Sequence, residues 1–231
     1  MTNAPTILAI DTATEQCSVA ILTPVRNYER IVSTARGHAE LILPLIAELL
    51  DESKLALSQL HGLAFGRGPG SFTGVRIAVG VIQGLAMATK LPVVGISNLA
   101  AVAQRVAQER SLERGERVLV CMDARMKEVY WGEYEVLATG LVELIGEEQV
   151  AAPESVKINP TAIRVVAGTA LRAYPQLRIR YENLPCDDAA LPRATEIAQL
   201  ALRELQAGRG VDAAHAQPVY LRDQVAWPKP A

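Results

Sequence analysis

Twice along this chain a short apolar run ends in an aspartate: residues 6–10 lead to Asp11, and residues 118–122 lead to Asp123. Runs this short, bounded by polar turn-formers, suit strands buried on both faces better than helices. After Asp11 a polar connection, residues 11–16, returns to a second run at 17–22, which reads as a hairpin. A short strand around 30–34 follows, and residues 38–53 carry apolar side chains at helical spacing. A buried strand at 63–65 leads into a glycine-rich stretch at 66–74, a nearly uncharged helix at 75–89 and a strand at 92–96. Beyond the polar residues 108–117 the series restarts, with strands at 118–122, 129–136 and 141–150. A short helix candidate at 153–156, a strand at 164–167, a Gly-Thr turn and a helix at 193–207 complete it.

Each half thus reads as three strands, a helix, a strand and a helix. Two copies of that order predict an α/β fold of duplicated ribonuclease H-like units, the plan of the actin-like, sugar kinase and Hsp70 superfamily. The expected lobes are residues 1–105 and 106–231, with the C-terminal segment able to pack back on the first. With 231 residues, half of them apolar and only 4% aromatic, the chain suits helices packed closely on sheets. A formal charge of −2 and scattered arginines argue against strong binding of a polyanion by this chain alone. Cys17, Cys121 and Cys186 are odd in number and widely spaced, which points to buried thiols in a reducing compartment. No leader-like start and no long uninterrupted apolar run is read, so a soluble cytoplasmic protein with no membrane contact is expected.

Three motifs carry candidate chemistry. The first turn, Asp11, Thr12, Ala13 and Thr14 returning to Ser18, can hold phosphate through hydroxyls and N–H groups while the aspartate orients a cation. The same residues also close ordinary hairpins through local hydrogen bonds. The second block is Gly66, Arg67, Gly68, Pro69, Gly70, Ser71, Phe72, Thr73, Gly74, Val75, Arg76. Its glycines permit positive φ and close approach, and Ser71 or Thr73 can cap the following helix, which makes either an anion nest or a purely structural turn. It is neither a Walker A loop, lacking Gly-Lys-Ser/Thr, nor a dinucleotide fingerprint, because Pro69 and Thr73 break the register. The third runs from Asp123 through Arg125 and Glu128 to Tyr130 and Trp131, serving either a site or a hairpin closed by a surface ion pair. His38 is followed four residues on by Ile42, while His61 and His215 stand alone, so no metal-site spacing is present. A Gly-x-Ser-x-Gly elbow is missing as well.

Taken together, Ile10-Asp11-Thr12 with Cys17-Ser18-Val19-Ala20, the block from Gly68 to Gly74 with Arg76, Asp123-Ala124-Arg125 with Glu128-Val129-Tyr130, and Pro218-Val219-Tyr220-Leu221-Arg222 resemble the bacterial TsaB family, also called YeaZ. Asp11, Thr12, Gly68, Gly70, Ser71, Thr73, Gly74, Arg76, Asp123, Arg125, Glu128 and Tyr130 are the motif residues. The resemblance implies a complex with TsaD and the ATPase TsaE. In it TsaD carries the metal and transfers a threonylcarbamoyl group from its adenylate to N6 of the adenosine next to the anticodon, in tRNAs reading codons that begin with A. TsaD-type proteins hold the metal with a His-x-x-x-His pair, from which this chain departs. The implied role is a non-catalytic subunit without catalytic residues, cofactor or metal, meeting tRNA only through the complex, with a homodimer in isolation left open. The older glycoprotease label would require a hydrolytic metal or nucleophile that the sequence does not display.

Two helices offer partner-interface candidates. In residues 38–53 apolar side chains including Leu41 and Leu45 cover more circumference than one sheet buries. In residues 75–89, Gly80, Gly84 and Ala88 recur every four residues, leaving Val75, Val79, Ile82 and Ala86 for the core. That small stripe serves either a partner helix or the first helix of the same chain. The competing function is an ATP-dependent phosphotransferase or hydrolase using Asp11, Asp123 and residues 68–74. Its weakness is the second half, which offers only Ala167-Gly168-Thr169 as a nucleotide turn.

Overall fold

The computed structural model describes residues 5–156 and 162–222. Strands β1 (Ile7–Asp11), β2 (Gln16–Leu22) and β3 (Asn27–Ser33) form an antiparallel meander. Helix α1 (His38–Ser53) leads to β4 (Gly62–Gly66), and α2 (Phe72–Thr89) leads to β5 (Val93–Ile96), giving a sheet ordered β3-β2-β1-β4-β5. Here β4 lies parallel to β1, and β5 parallel to β4. After α3 (Asn98–Glu109) the pattern repeats with β6 (Arg117–Asp123), β7 (Val129–Val136), β8 (Val142–Ala151) and β9 (Ile163–Ala167). Two short helices, α4 (Ala170–Ala173) and α5 (Pro175–Arg180), precede β10 (Cys186–Asp187) and α6 (Ala194–Gln206). The second sheet runs β10-β9-β6-β7-β8, the same order about its first strand as the first sheet. This is the duplicated ribonuclease H-like α/β plan.

Several elements depart from the expected order. Helices α3, α4 and α5 and the short strand β10 are additions to it, and the helix expected at 153–156 is a single 3-10 turn, Pro153–Ser155.

The strand alternation explains the layering. On β1, Leu8 and Ile10 point to a core shared with Ile42, Leu45, Leu49, Val75 and Ile82 of α1 and α2. Ile7 and Ala9 point the other way, toward Ala194, Ala198 and Ala201 of α6. Because β1 is buried along its whole length, its apolar run is continuous, as a central strand covered on both faces requires. The second sheet repeats this: Leu119 and Cys121 face α4 and α5, while Val118 and Val120 face the layer of α3 and α6. Helix α6 packs on β1, β2, β4 and β5 of the first sheet, and α3 packs on β6, β7 and β8 of the second. The many alanines have a structural reason here, since small side chains let both helices sit close between two sheets.

Candidate functional site

The turn after β1 is welded to the glycine block. Ser71 N–H donates to the Ala13 carbonyl at 2.7 Å, and the Thr12 hydroxyl donates to the Gly74 carbonyl at 2.6 Å. A Cβ on Gly70 would lie 2.6 Å from the Ala13 carbonyl oxygen, and one on Gly74 would collide with the Thr12 carbonyl. Both glycines are therefore required by close approach. The position with positive φ is Gly68, at 101°, and Gly70 does not share it. Ser71 caps α2 by accepting from Gly74 N–H at 3.4 Å, as its hydroxyl suggested, while Thr73 is exposed on the first turn.

Asp11 is fully buried beneath this weld. Its Oδ1 accepts from the Asn98 amide at 2.6 Å, and Asn98 Oδ1 in turn accepts from Gly68 N–H at 2.8 Å. Oδ2 is buried with no partner among the described residues. Burial pushes the Asp11 carboxyl up to about 7, against the opposing pull of Asn98 and the backbone of Ala13 and Thr12. Asp11 is not among the residues that line the neighbouring cleft.

Asp123 ends β6 as Asp11 ends β1, but its surroundings differ. Its Oδ1 accepts from Arg125 N–H at 2.8 Å and from the Tyr174 hydroxyl at 2.9 Å, and Oδ2 pairs with the Arg125 guanidinium at 2.9 Å. Arg125, Met126 and Lys127 all have positive φ, which is uncommon for non-glycine residues and costs each of them energy. Arg222 holds this tip, bonding the Ala124 carbonyl at 3.2 Å and pairing with Glu128. Tyr130 is half-buried on β7 beside it.

A cleft of about 800 Å³ separates the two aspartate turns. Thr12, Gly70, Ser71, Thr73 and Gly74 line one wall, and Asp123, Arg125 and Tyr130 the other. The structure thus brings most of the motif residues to one place. Arg76 and the α2 stripe lie elsewhere. Among the described residues no group of three His, Cys, Asp or Glu is placed to hold a metal ion.

The outer face of α2 is open. A Cβ on Gly80 or on Gly84 would meet nothing within 4 Å, and Ala88 is exposed, so the small stripe does not pack on α1. Beside it stand Phe72, 57% exposed, and Met87, 66% exposed. Arg76 stacks over the Phe72 ring at 3.6 Å and donates from Nε to the Tyr220 hydroxyl at 2.9 Å. By length and composition α2 would suffice to cross a bilayer, yet Val75, Ala78, Val79, Ile82 and Ala86 are buried in this chain. On α1 the interface expectation fails at Leu45, which is 6% exposed and belongs to the core; Leu41 is half-buried against the same core. The apolar circumference of α1 is used up largely within the chain, with Leu43 left outside at 54%.

Sequence reasoning missed Asn98, the latch on Asp11, although Ser97 before it is a good N-cap and accepts from Leu99 and Ala100 N–H groups. It missed Tyr174 altogether, whose link to Asp123 spans 51 residues.

Comparison with known proteins matches residues 32–229 to the family described as "TsaD: tRNA N6-adenosine threonylcarbamoyltransferase". The tRNA threonylcarbamoyladenosine biosynthesis protein TsaB of Escherichia coli K12 is 40% identical over 227 residues, covering 96% of this chain and 97% of that protein. Its Haemophilus influenzae counterpart is 42% identical over 234 residues, covering 97% and 96%. The solved structure of YeaZ from Pseudomonas aeruginosa superposes with a TM-score of 0.84 at 43% identity, over 94% of this chain and all of that one. With near full-length identity at this level and the four motifs in place, the chain belongs to the TsaB family of tRNA threonylcarbamoyladenosine biosynthesis proteins.

Proposed function

We propose that this chain is the non-catalytic partner subunit of a cytoplasmic TsaB–TsaD–TsaE complex, in which TsaD transfers the threonylcarbamoyl group to N6 of the adenosine next to the anticodon. The observation that carries the reading is the uncovered face of α2, where Gly80, Gly84 and Ala88 form a stripe without bulk between exposed Phe72 and Met87. Such a stripe lets another helix backbone come close, and the flanking side chains give it apolar surface to bury. TsaD is the occupant we assign to it; a second copy of the chain takes the same face in isolation, and tRNA meets this subunit only through the complex. The enclosure of Asp11 supports a subunit without catalysis of its own, because the superfamily's cation-orienting carboxylate is here tied to Asn98. The division into lobes at residues 1–105 and 106–231 belongs to the same proposal.

The enzyme alternative draws on the 800 Å³ cleft, which Arg36, Arg125 and Arg172 line. One experiment separates the two: co-purification with the cognate TsaD and TsaE, followed by tRNA modification assays with each component omitted. The expected result is modification only with all components, and neither ATP hydrolysis nor modification by this chain alone. Turnover by the isolated chain that disappears in Asp11→Ala would overturn the proposal.

A further inference from the structure

A second cleft, of about 480 Å³, opens at the outer edge of β5 and shares no lining residue with the cleft between the aspartate turns. Arg67 enters it from a fixed point. Its N–H donates to the Ile96 carbonyl and its carbonyl accepts from Val219 N–H, both at 2.8 Å. The Arg67 Nε is buried and has no hydrogen-bond partner among the described residues. A buried donor left without a partner is unfavourable, so an acceptor brought to this guanidinium gains more than an ordinary surface contact.

Opposite stands a carboxylate. The Tyr134 hydroxyl donates to Glu148 at 2.5 Å, and the Arg67 charge reaches the same hydroxyl. Two further arginines on the cleft wall share one carboxylate, Glu204, which pairs with Arg203 at 3.2 Å and with Arg209 at 2.6 Å.

The third feature is the backbone of Gly95. On a parallel edge strand alternate residues turn N–H and C=O outward. Val93 turns its pair to Val211, at 2.8 and 2.9 Å, and Gly95, two residues on, faces the same side and lines the cleft. A Cβ there would lie 3.0 Å from the Phe65 ring and 3.2 Å from Arg67 Cβ, so a larger residue would press on both. Val211 occupies the edge next to it, which blocks a through-running peptide strand and leaves room for a small molecule.

We propose that this cleft binds a free α-amino acid as its zwitterion, with the carboxylate on the Arg67 guanidinium and the Gly95 amide and the ammonium facing Glu148. A carboxylate alone leaves Glu148 unanswered and an amine alone leaves Arg67 unanswered; a zwitterion satisfies both. The site lies away from α2, so the test uses the isolated full chain and does not depend on any partner.

Calorimetric titration with each common L-amino acid, with acetate and methylammonium as half-ligands, tests it. At least one amino acid binds with a millimolar or tighter Kd, and both half-ligands bind at least about tenfold more weakly. Arg67→Met and Glu148→Gln each lower that affinity by about tenfold or more, while Arg67→Lys, which keeps the cation, retains part of it. Melting curves of all three variants check the fold; if Arg67→Met unfolds, the Glu148→Gln and Arg67→Lys titrations decide. No amino acid binding at about 10 mM overturns the assignment. So does acetate binding as tightly as the amino acid, or binding unchanged in folded Arg67→Met or, where that variant unfolds, in Glu148→Gln.

Discussion

Replacing Gly84 with leucine separates the stability of this chain from its association. Gly84 lies in the interior of α2, and a Cβ added there meets nothing within 4 Å, so the longer side chain enters solvent in the monomer. Glycine costs a helix interior roughly 0.5–1 kcal/mol relative to alanine, and leucine is nearly as good a helix former. The isolated variant should therefore be as stable as the parent or slightly more so, by about 1–4 °C in Tm for a chain of this size. Against a partner helix the outcome reverses. A side chain inserted where two backbones meet overpacks the contact at a typical cost of about 1–3 kcal/mol, or roughly 5- to 150-fold in affinity. Differential scanning fluorimetry of the isolated variant, with calorimetric titration against the cognate TsaD, reads both quantities. A lower Tm would mean that the stripe packs within the chain. Unchanged affinity in a well-folded variant would remove α2 from the interface.

Gly70→Val should lower the melting temperature, because its Cβ would lie 2.6 Å from the Ala13 carbonyl; a typical overpacking cost of about 1–3 kcal/mol is readable in a thermal melt. Asp11 makes stability depend on pH: its carboxyl rises from 3.8 to about 7 on folding, so the folded chain binds the extra proton and stability falls as pH climbs through that window. The shift of roughly three units corresponds to about 4 kcal/mol at most, and Asp11→Asn should flatten the decline in Tm between pH about 4 and 7. Arg222→Ala should leave Tm nearly unchanged, since a half-exposed pair contributes about 1 kcal/mol or less, yet speed amide hydrogen exchange at residues 124–128, where three positive-φ residues lose their clamp.

What was legible in the sequence is what local pattern can encode. The strands ending in Asp11 and Asp123, the capping Ser71 and the core face of α2 all follow from spacing and residue type within one element. Helix α3 was passed over although its buried Leu99, Val102, Ala103 and Val106 recur at helical spacing behind the Ser97 cap, so its periodic signal was present in the sequence. The helices α4 and α5 are shorter than any helix stable by itself, and tertiary contacts hold them. Leu45 was misassigned because helical spacing says which residues share a face and not how many neighbours cover it.

The two aspartates show why site chemistry was the least legible part. Locally they are equivalent, each closing the first strand of its repeat, and a phosphate-and-cation reading fits both. Their roles are set by groups far along the chain: Asn98 reaches Asp11 across 87 residues, and Tyr174 reaches Asp123 across 51. In each repeat a glycine next to the parallel strand must also stay bare, Gly66 against Asp11 itself and Gly168 against the Cys121 carbonyl. The carboxylates are thereby turned into fasteners between the first hairpin and the loop beyond the parallel strand. Both aspartates are hydrogen-bonded within the fold, and the surface left uncovered lies on the outside of α2.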